Sequence, residues 1–325
     1  MAERKLTYAE AINEALRHEM RKDPNVILFG ENVTSSWRNA TKGLLEEFGR
    51  ERVRDTPITE TAFIGSGVGA AILGMRPIIE LMLVDFGLVA MDQILNQMAK
   101  SRYMSGGAVN VPMTIRATYG AGTSSGATHS EALYSLFAHM PGIKVVAPSN
   151  PYDAKGLLIS SIRDDDPKVF MEHRLLYDIS GQVPKDSYTI PLGSANLVRE
   201  GNDVTVLAVG LMVQKALEAA DELKPKISVE VIDPRTLVPL DEKAILSSIQ
   251  KTGRLVIVDE DYERCGFSAE MAALAAGKGF EYLKAPITRV ATPNVPIPYN
   301  PRLEREVLPD KEKIIAAVKS IARYA

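Results

Sequence analysis

Apolar and polar positions along this chain switch repeatedly between two periods. Residues 7–22 place Ala11, Ile12, Ala15 and Leu16 at helical spacing on an otherwise charged segment, which predicts a helix with one buried face. Val26–Gly30 is a short apolar run ending at Glu31-Asn32 and predicts a buried strand. The exchange then recurs: a loop and helix over 33–48, a helix from Glu60, a strand over 77–83 reading into Asp85-Phe86, a helix over 88–103 and a strand over 111–118. A helix over 130–139, a strand over 144–147, a helix from Pro151 to about Arg163 and a strand over 168–172 follow. After residue 203 come strands over 204–209, 228–232, 255–258 and 288–291, with helices over 213–223, 241–248, 268–276 and 311–324. Apolar strands separated by helices predict an α/β fold with largely parallel sheets. The stretch 175–201 breaks the rhythm with Gly181, Pro184, Pro191 and Gly193, and reads as a linker with one edge segment. The expected division is therefore a first domain over 1–180, a linker over 181–202 and a second α/β domain over 203–325. Residues 293–301 hold four prolines and are expected to be extended and exposed.

Composition narrows the class. A length of 325 residues suits about two domains. A net charge of −3 gives no electrostatic case for nucleic acid or an anionic membrane surface. No apolar run reaches the roughly 18 residues a membrane span needs, and the charged, amphipathic start lacks a signal peptide's apolar centre. The single cysteine, Cys265, excludes an internal disulfide framework and reads as a core residue. Together these point to a soluble, cytoplasmic protein.

Candidate chemistry concentrates in residues 54–86. Thr59 is placed to cap a helix whose first residue is Glu60. That helix carries Gly65, Gly67, Gly69, Ala70 and Ala71, and several glycines in one helix imply close approach of another backbone or a flat ligand. An acid in a helix's first turn is favoured by the helix dipole alone. A carboxylate against an apolar wall near Phe86 would also suit a flat heteroaromatic ring, because burial raises its pKa and lets it hold a proton there. His129 follows the small-residue loop 119–128, where a side chain can project into a cleft. The turn after Arg163 carries Asp164, Asp165 and Asp166 at a helix C-terminus, which reads either as a solvated cap or as a cation corner.

The series RDTPITETAFIGSGVGAAILGMRPIIELMLVDF, MDQILNQMAKSRYMSGG, GATHSEALYSLFAHMPGIKVVAPSNPYDAKGLL and SIRDDDP, with DPRTLVPLD and CGFSAEM further on, covers nearly the whole chain. In order and spacing it resembles the beta subunit of the thiamine-diphosphate-dependent decarboxylase component of 2-oxo-acid dehydrogenase complexes. The resemblance implies a pyrimidine-binding domain followed by a transketolase-type C-terminal domain. It implies that Glu60 meets a ring nitrogen of the cofactor's aminopyrimidine and promotes the tautomer that deprotonates the thiazolium carbon. Met82 and Phe86 match positions that pack on that ring, although both are also ordinary core residue types. His129 matches a histidine that works near the substrate or in passing the acyl group to lipoamide. Met113, Ser161, Ile162, Asp164 and Asp166 match a potassium site built mostly of carbonyls. No GDG motif for magnesium and diphosphate occurs, and Glu200-Gly201-Asn202-Asp203 is the nearest string. The resemblance thus implies an alpha subunit that supplies the diphosphate and magnesium end. It further implies an alpha–beta heterotetramer with a second beta subunit, and docking to a lipoyl acyltransferase core. Segments 84–97 and 149–167 look closest to the pyruvate- and acetoin-type members. The loop before His129 lacks the histidine-rich run of branched-chain members. Alternatives are a branched-chain beta subunit, a non-catalytic regulatory subunit of the same fold, or a single-chain transketolase-like enzyme, for which the chain is too short.

Overall fold

The computed structural model describes residues 4–324, which form two compact units: 4–119 with 136–192, and 120–135 with 193–324. The first unit begins with β1 (Lys5–Thr7), α1 (Tyr8–Lys22), β2 (Val26–Gly30), α2 (Leu44–Phe48), β3 (Val53–Asp55), α3 (Glu60–Ile72) and β4 (Arg76–Leu83). A 3-10 turn (Val84–Ala90), a π-helical turn (Gln93–Met98), α4 (Ala99–Met104) and β5 (Thr114–Tyr119) follow. The chain returns to this unit within α5 (Tyr134–Ala138) and continues as β6 (Lys144–Val146), α6 (Pro151–Arg163), β7 (Lys168–His173) and β8 (Ser180–Gln182).

Parallel pairing runs in the order β6–β7–β5–β4–β2–β3. From β2 the chain moves to β3 on one side and then crosses to β4 on the other. The carboxyl ends of β2 and β4 therefore flank the switch point, where open α/β sheets bind ligands. β5 and β7 are buried at every position, as strands covered by helices on both faces must be. α1 starts on a reciprocal cap: Glu10 N–H donates to Thr7 Oγ1 at 3.2 Å and Thr7 N–H to Glu10 Oε2 at 2.7 Å. Its apolar face packs against α6, where buried Glu19 takes two hydrogen bonds from Arg163.

The second unit contains β9 (Asn196–Arg199), β10 (Val204–Ala208), α7 (Leu211–Leu223), β11 (Val229–Asp233), β12 (Thr236–Val238) and α8 (Glu242–Thr252). It ends with β13 (Leu255–Tyr262), α9 (Phe267–Lys278), β14 (Thr288–Thr292), α10 (Pro301–Val307) and α11 (Lys311–Ala322). Its sheet has the order β14–β13–β10–β11–β9, parallel except for β9 at the edge.

The expected α/β class with largely parallel sheets is the class observed, with local departures. β4 stops at Leu83, and Asp85-Phe86 lie in the 3-10 turn rather than in a strand. The helix expected over 88–103 is interrupted by the π turn. The helix expected over 130–139 contracts to Tyr134–Ala138, and Ser135 N–H in its first turn donates to Asp261 Oδ2 at 3.3 Å. Pro301 begins α10 instead of extending the proline tail: Asn300 Oδ1 accepts from Arg302 and Leu303 N–H, and proline suits a helix's first position. Within that tail Ile297 is buried. Cys265 is exposed, not a core residue, because it occupies a positive-φ position (58°) in the turn before α9.

Gly30 shows how tightly the switch point is built. Its φ is +141°, and a Cβ there would stand 2.2 Å from the Glu80 carbonyl oxygen of the neighbouring strand. Gly30→Ala should therefore lower stability by more than about 2 kcal/mol, read as a clear drop in thermal midpoint. An unchanged midpoint would mean that the β2–β4 contact tolerates a side chain.

Candidate active site

Glu60 is the first residue of α3 and is buried, 8% exposed, at the carboxyl edge of the sheet. Thr59 does not cap this helix: its hydroxyl donates back to the Pro57 carbonyl at 3.1 Å. The start of α3 is instead tied to the 3-10 turn, with Thr61 Oγ1 donating to Val89 O at 3.0 Å. The glycines have two fates. A Cβ at Gly67 would strike Ile79 Cδ1 at 2.8 Å, so this glycine seats α3 on its own sheet, and Gly65 faces Gln93. Gly69 meets nothing within 4 Å and is exposed.

The partner of Glu60 is Glu31, just beyond β2. Burial pushes the Glu31 carboxyl up to about 7, and the Glu60 charge, a hydrogen bond to Glu60 and the Glu80 charge push it the same way. The protonated Glu31 thus donates to Glu60, while Glu31 Oε1 is buried with no hydrogen-bond partner among the described residues. Sequence reading passed over Glu31 except as a strand-end residue. Its signal, an acid at the carboxyl end of a buried strand, acquires meaning only once Glu60 is brought beside it.

β4 supplies the next layer. Burial pushes Glu80 up to about 7, against the pull of Arg116 and of a hydrogen bond from Met82 N–H, with Glu172 adding to the rise. Here the ladder with β5 slips between Glu80 and Leu83, and Met82 takes a φ of +67°. A methionine gains nothing locally from that conformation, so the surrounding structure must impose it, as is common at ligand sites. The bulge leaves Met82 half-buried, with its sulfur 3.0 Å from Asn32 Nδ2. Phe86 is half-buried in the following 3-10 turn. The first unit therefore brings Glu31, Glu60, Glu80 and Met82 to one edge, with Phe86 in the turn that follows.

His129 belongs to the other unit. It is exposed, with Nδ1 2.8 Å from Thr128 Oγ1, at the end of a loop held by buried carboxylates. Ala121 N–H donates to Glu260 Oε1 at 2.6 Å, and Gly122 and Ser124 N–H donate to Glu304 at 2.9 and 3.1 Å. Sequence reading missed both glutamates, which lie 139 and 182 residues from the amides they bind.

The aspartate turn lies at the opposite, amino-terminal edge of the first sheet, where β4, β5, β6 and β7 begin. Its charge is matched by cations: Arg76 pairs with Asp165, Arg102 with Asp166, and Lys144 with both Asp164 and Asp166. Although burial opposes it, the hydrogen bond from Lys144 and the Lys168 charge hold Asp164 below the usual carboxylate range. Burial lowers Lys168 to about 7, against the attraction of Asp164. A separate cavity of about 920 Å³ beside α1 is lined by none of these residues.

Residues 4–179 match the transketolase pyrimidine-binding domain and residues 193–314 the transketolase C-terminal domain. The chain is 51% identical, over 96% of both sequences, to the beta subunit of the acetoin:2,6-dichlorophenolindophenol oxidoreductase of Bacillus subtilis (strain 168). It is 45% identical to the mitochondrial pyruvate dehydrogenase E1 component subunit beta-2 of Oryza sativa subsp. japonica, over 98% of this chain and 86% of the relative. This chain belongs to the family of 2-oxo-acid and acetoin dehydrogenase beta subunits. A split-gene transketolase, solved as an inactive beta4 tetramer, shares the fold at a TM-score of 0.81 with 21% identity, covering 98% of this chain and 99% of that one.

A pyrimidine-binding domain implies thiamine diphosphate, and the residues present fit its ring end. A buried carboxyl pair offers both a proton and an acceptor, one carboxyl oxygen is left without a partner, and the bulge at Met82 interrupts the strand beside them. The pair also leaves a stability signature. Glu31 is raised in the folded state, so its stabilising contribution is full below the unfolded value of 4.5 and is lost as pH rises through about 7. The thermal midpoint of Glu31→Gln should consequently fall less than that of the parent between pH 5 and 8. Identical slopes would show that Glu31 ionises normally.

Proposed function

We propose that this chain is the ring-binding half of a thiamine-diphosphate-dependent 2-oxo-acid or acetoin dehydrogenase, with the pyruvate and acetoin types ahead of the branched-chain type. The supporting observation is the buried Glu60–Glu31 carboxyl pair at the switch point beside the strained Met82. The 51% identity to an acetoin-oxidoreductase beta subunit supports the substrate class.

When bound, the cofactor contributes a nucleophilic carbon and an electron sink for cleavage next to a carbonyl. In this reading Glu60 faces a nitrogen of the aminopyrimidine and holds a proton against it. Glu31 keeps that proton available near neutral pH by sharing it across the carboxyl pair. Met82 and Phe86 form the wall on which the ring rests. His129 moves a proton near the substrate or the acyl acceptor. The acceptor is lipoamide carried by an acyltransferase core. The second unit is assigned beta–beta contacts and docking of that core. The chain carries no GDG motif, so the diphosphate and its magnesium fall to an alpha subunit in a heterotetramer.

The test uses the chain with and without that subunit. Alone it should show negligible turnover, and robust activity alone would refute the shared site. Glu60→Gln in the assembled enzyme should retain assembly and lose about 100-fold or more of turnover; near-parental turnover would refute its role. Ranking pyruvate, acetoin and 2-oxoisovalerate by kcat/KM completes the test, and a clear preference for the last would reverse the substrate assignment.

A further inference from the structure

The corner where α6 meets β7 is where the family resemblance expects a potassium ion, held mostly by carbonyls, at Met113, Ser161, Ile162, Asp164 and Asp166. In this chain those oxygens already have cationic or protonated partners. Arg76 Nε donates to Ile162 O at 2.8 Å and Arg76 Nη2 to Asp164 O at 2.8 Å. Lys168 Nζ donates to the same Asp164 carbonyl at 2.5 Å and lies 3.5 Å from Asp164 Oδ1. Lys168 N–H donates to Met113 O at 2.9 Å, and Thr114 Oγ1 lies 3.4 Å from Ser161 O. Asp166 is shared between Arg102 and Lys144. The Lys168 side chain is 0% exposed.

Potassium and an alkylammonium carry the same charge and seek the same oxygen ligands. A free ion entering here would meet Lys168 at close range in a poorly screened site, where like charges repel strongly. The lysine is also tethered and needs no ion captured from solution.

We propose that Lys168 is a built-in cation that takes the place of the potassium ion at this corner, making the protein's stability independent of potassium. Lys168 in this role bears on the fold of the first unit, apart from the carboxyl pair at the opposite edge of its sheet.

Thermal midpoints of the purified, assembled protein in potassium chloride and in tetramethylammonium chloride, at equal ionic strength and pH 6.5, test it. The parent should show the same midpoint in both salts, within about 1 °C. Lys168→Met, which keeps the length of the side chain and removes its charge, should have a lower midpoint in tetramethylammonium chloride. Potassium chloride should then raise that midpoint by about 3 °C or more. A parent selectively stabilised by potassium would overturn the proposal, and this holds even if the variant fails to fold. A variant whose lost stability potassium does not restore would also overturn it, leaving Lys168 an ordinary ion-pair partner.

Discussion

The first unit depends on one buried guanidinium. Arg116, 1% exposed in β5, gives two hydrogen bonds to Glu172 of β7, at 2.7 and 2.8 Å, and one to Glu80 of β4 at 2.6 Å. Tyr177 closes the group with a hydroxyl donated to Glu172 at 2.5 Å. A bidentate arginine in a dry interior fixes its partners geometrically, and losing it would strand two buried carboxylates at a cost of about 3–5 kcal/mol. Three adjacent strands are thereby held in register beneath the switch point. Glu80, pinned from below, accepts the Met82 N–H and, through its carbonyl, the Glu31 N–H at 3.0 Å. The bulge that turns Met82 outward and the placing of Glu31 beside Glu60 both follow from that anchor.

Above the anchor, burial rather than local charge decides protonation. Glu80 and Glu31 both rise to about 7, Glu80 despite its ion pair and Glu31 with two more acids close by. A network containing several carboxyls and a single arginine cannot ionise fully without water. It therefore retains protons at neutral pH, which an acid–base site requires. The aspartate turn at the other edge of the sheet is built on the opposite principle. There four cationic side chains meet three aspartates, and Asp164 and Asp166 stay below the usual range. One edge conserves protons and the other is neutralised.

Periodicity alone was enough to read the α/β class and the longer strands and helices, because spacing within about ten residues decides which face of an element is apolar. The three-residue strands Lys5–Thr7, Val53–Asp55 and Thr236–Val238 and the helix Pro301–Val307 are too short to show a period and were missed. Although the strand Val53–Asp55 before Glu60 was not expected, the sequence also placed Glu60 at a helix start, as observed. Features of the backbone escaped it. Nothing about Met82 within an apolar run signals a positive φ, and a threonine before Glu60 looks like a cap until its hydroxyl is seen bonded to Pro57. Cys265 looked like a core residue in a mixed segment, and the turn before α9 puts it in solvent.

The partnership of charges was decided only by the tertiary structure. Glu31 and Glu60, Arg116 and Glu172, Glu304 and the loop before His129, and Lys168 among the carbonyls of Asp164 and Met113 are joined by strand order and loop placement. In the sequence, Lys168 is simply the first residue of a strand after a proline, a place where a lysine usually meets water. The sequence determined which segments are buried, since that depends on near neighbours. Which buried charges face one another depends on how distant strands are stacked, and that pairing settles where a proton or a cation is held.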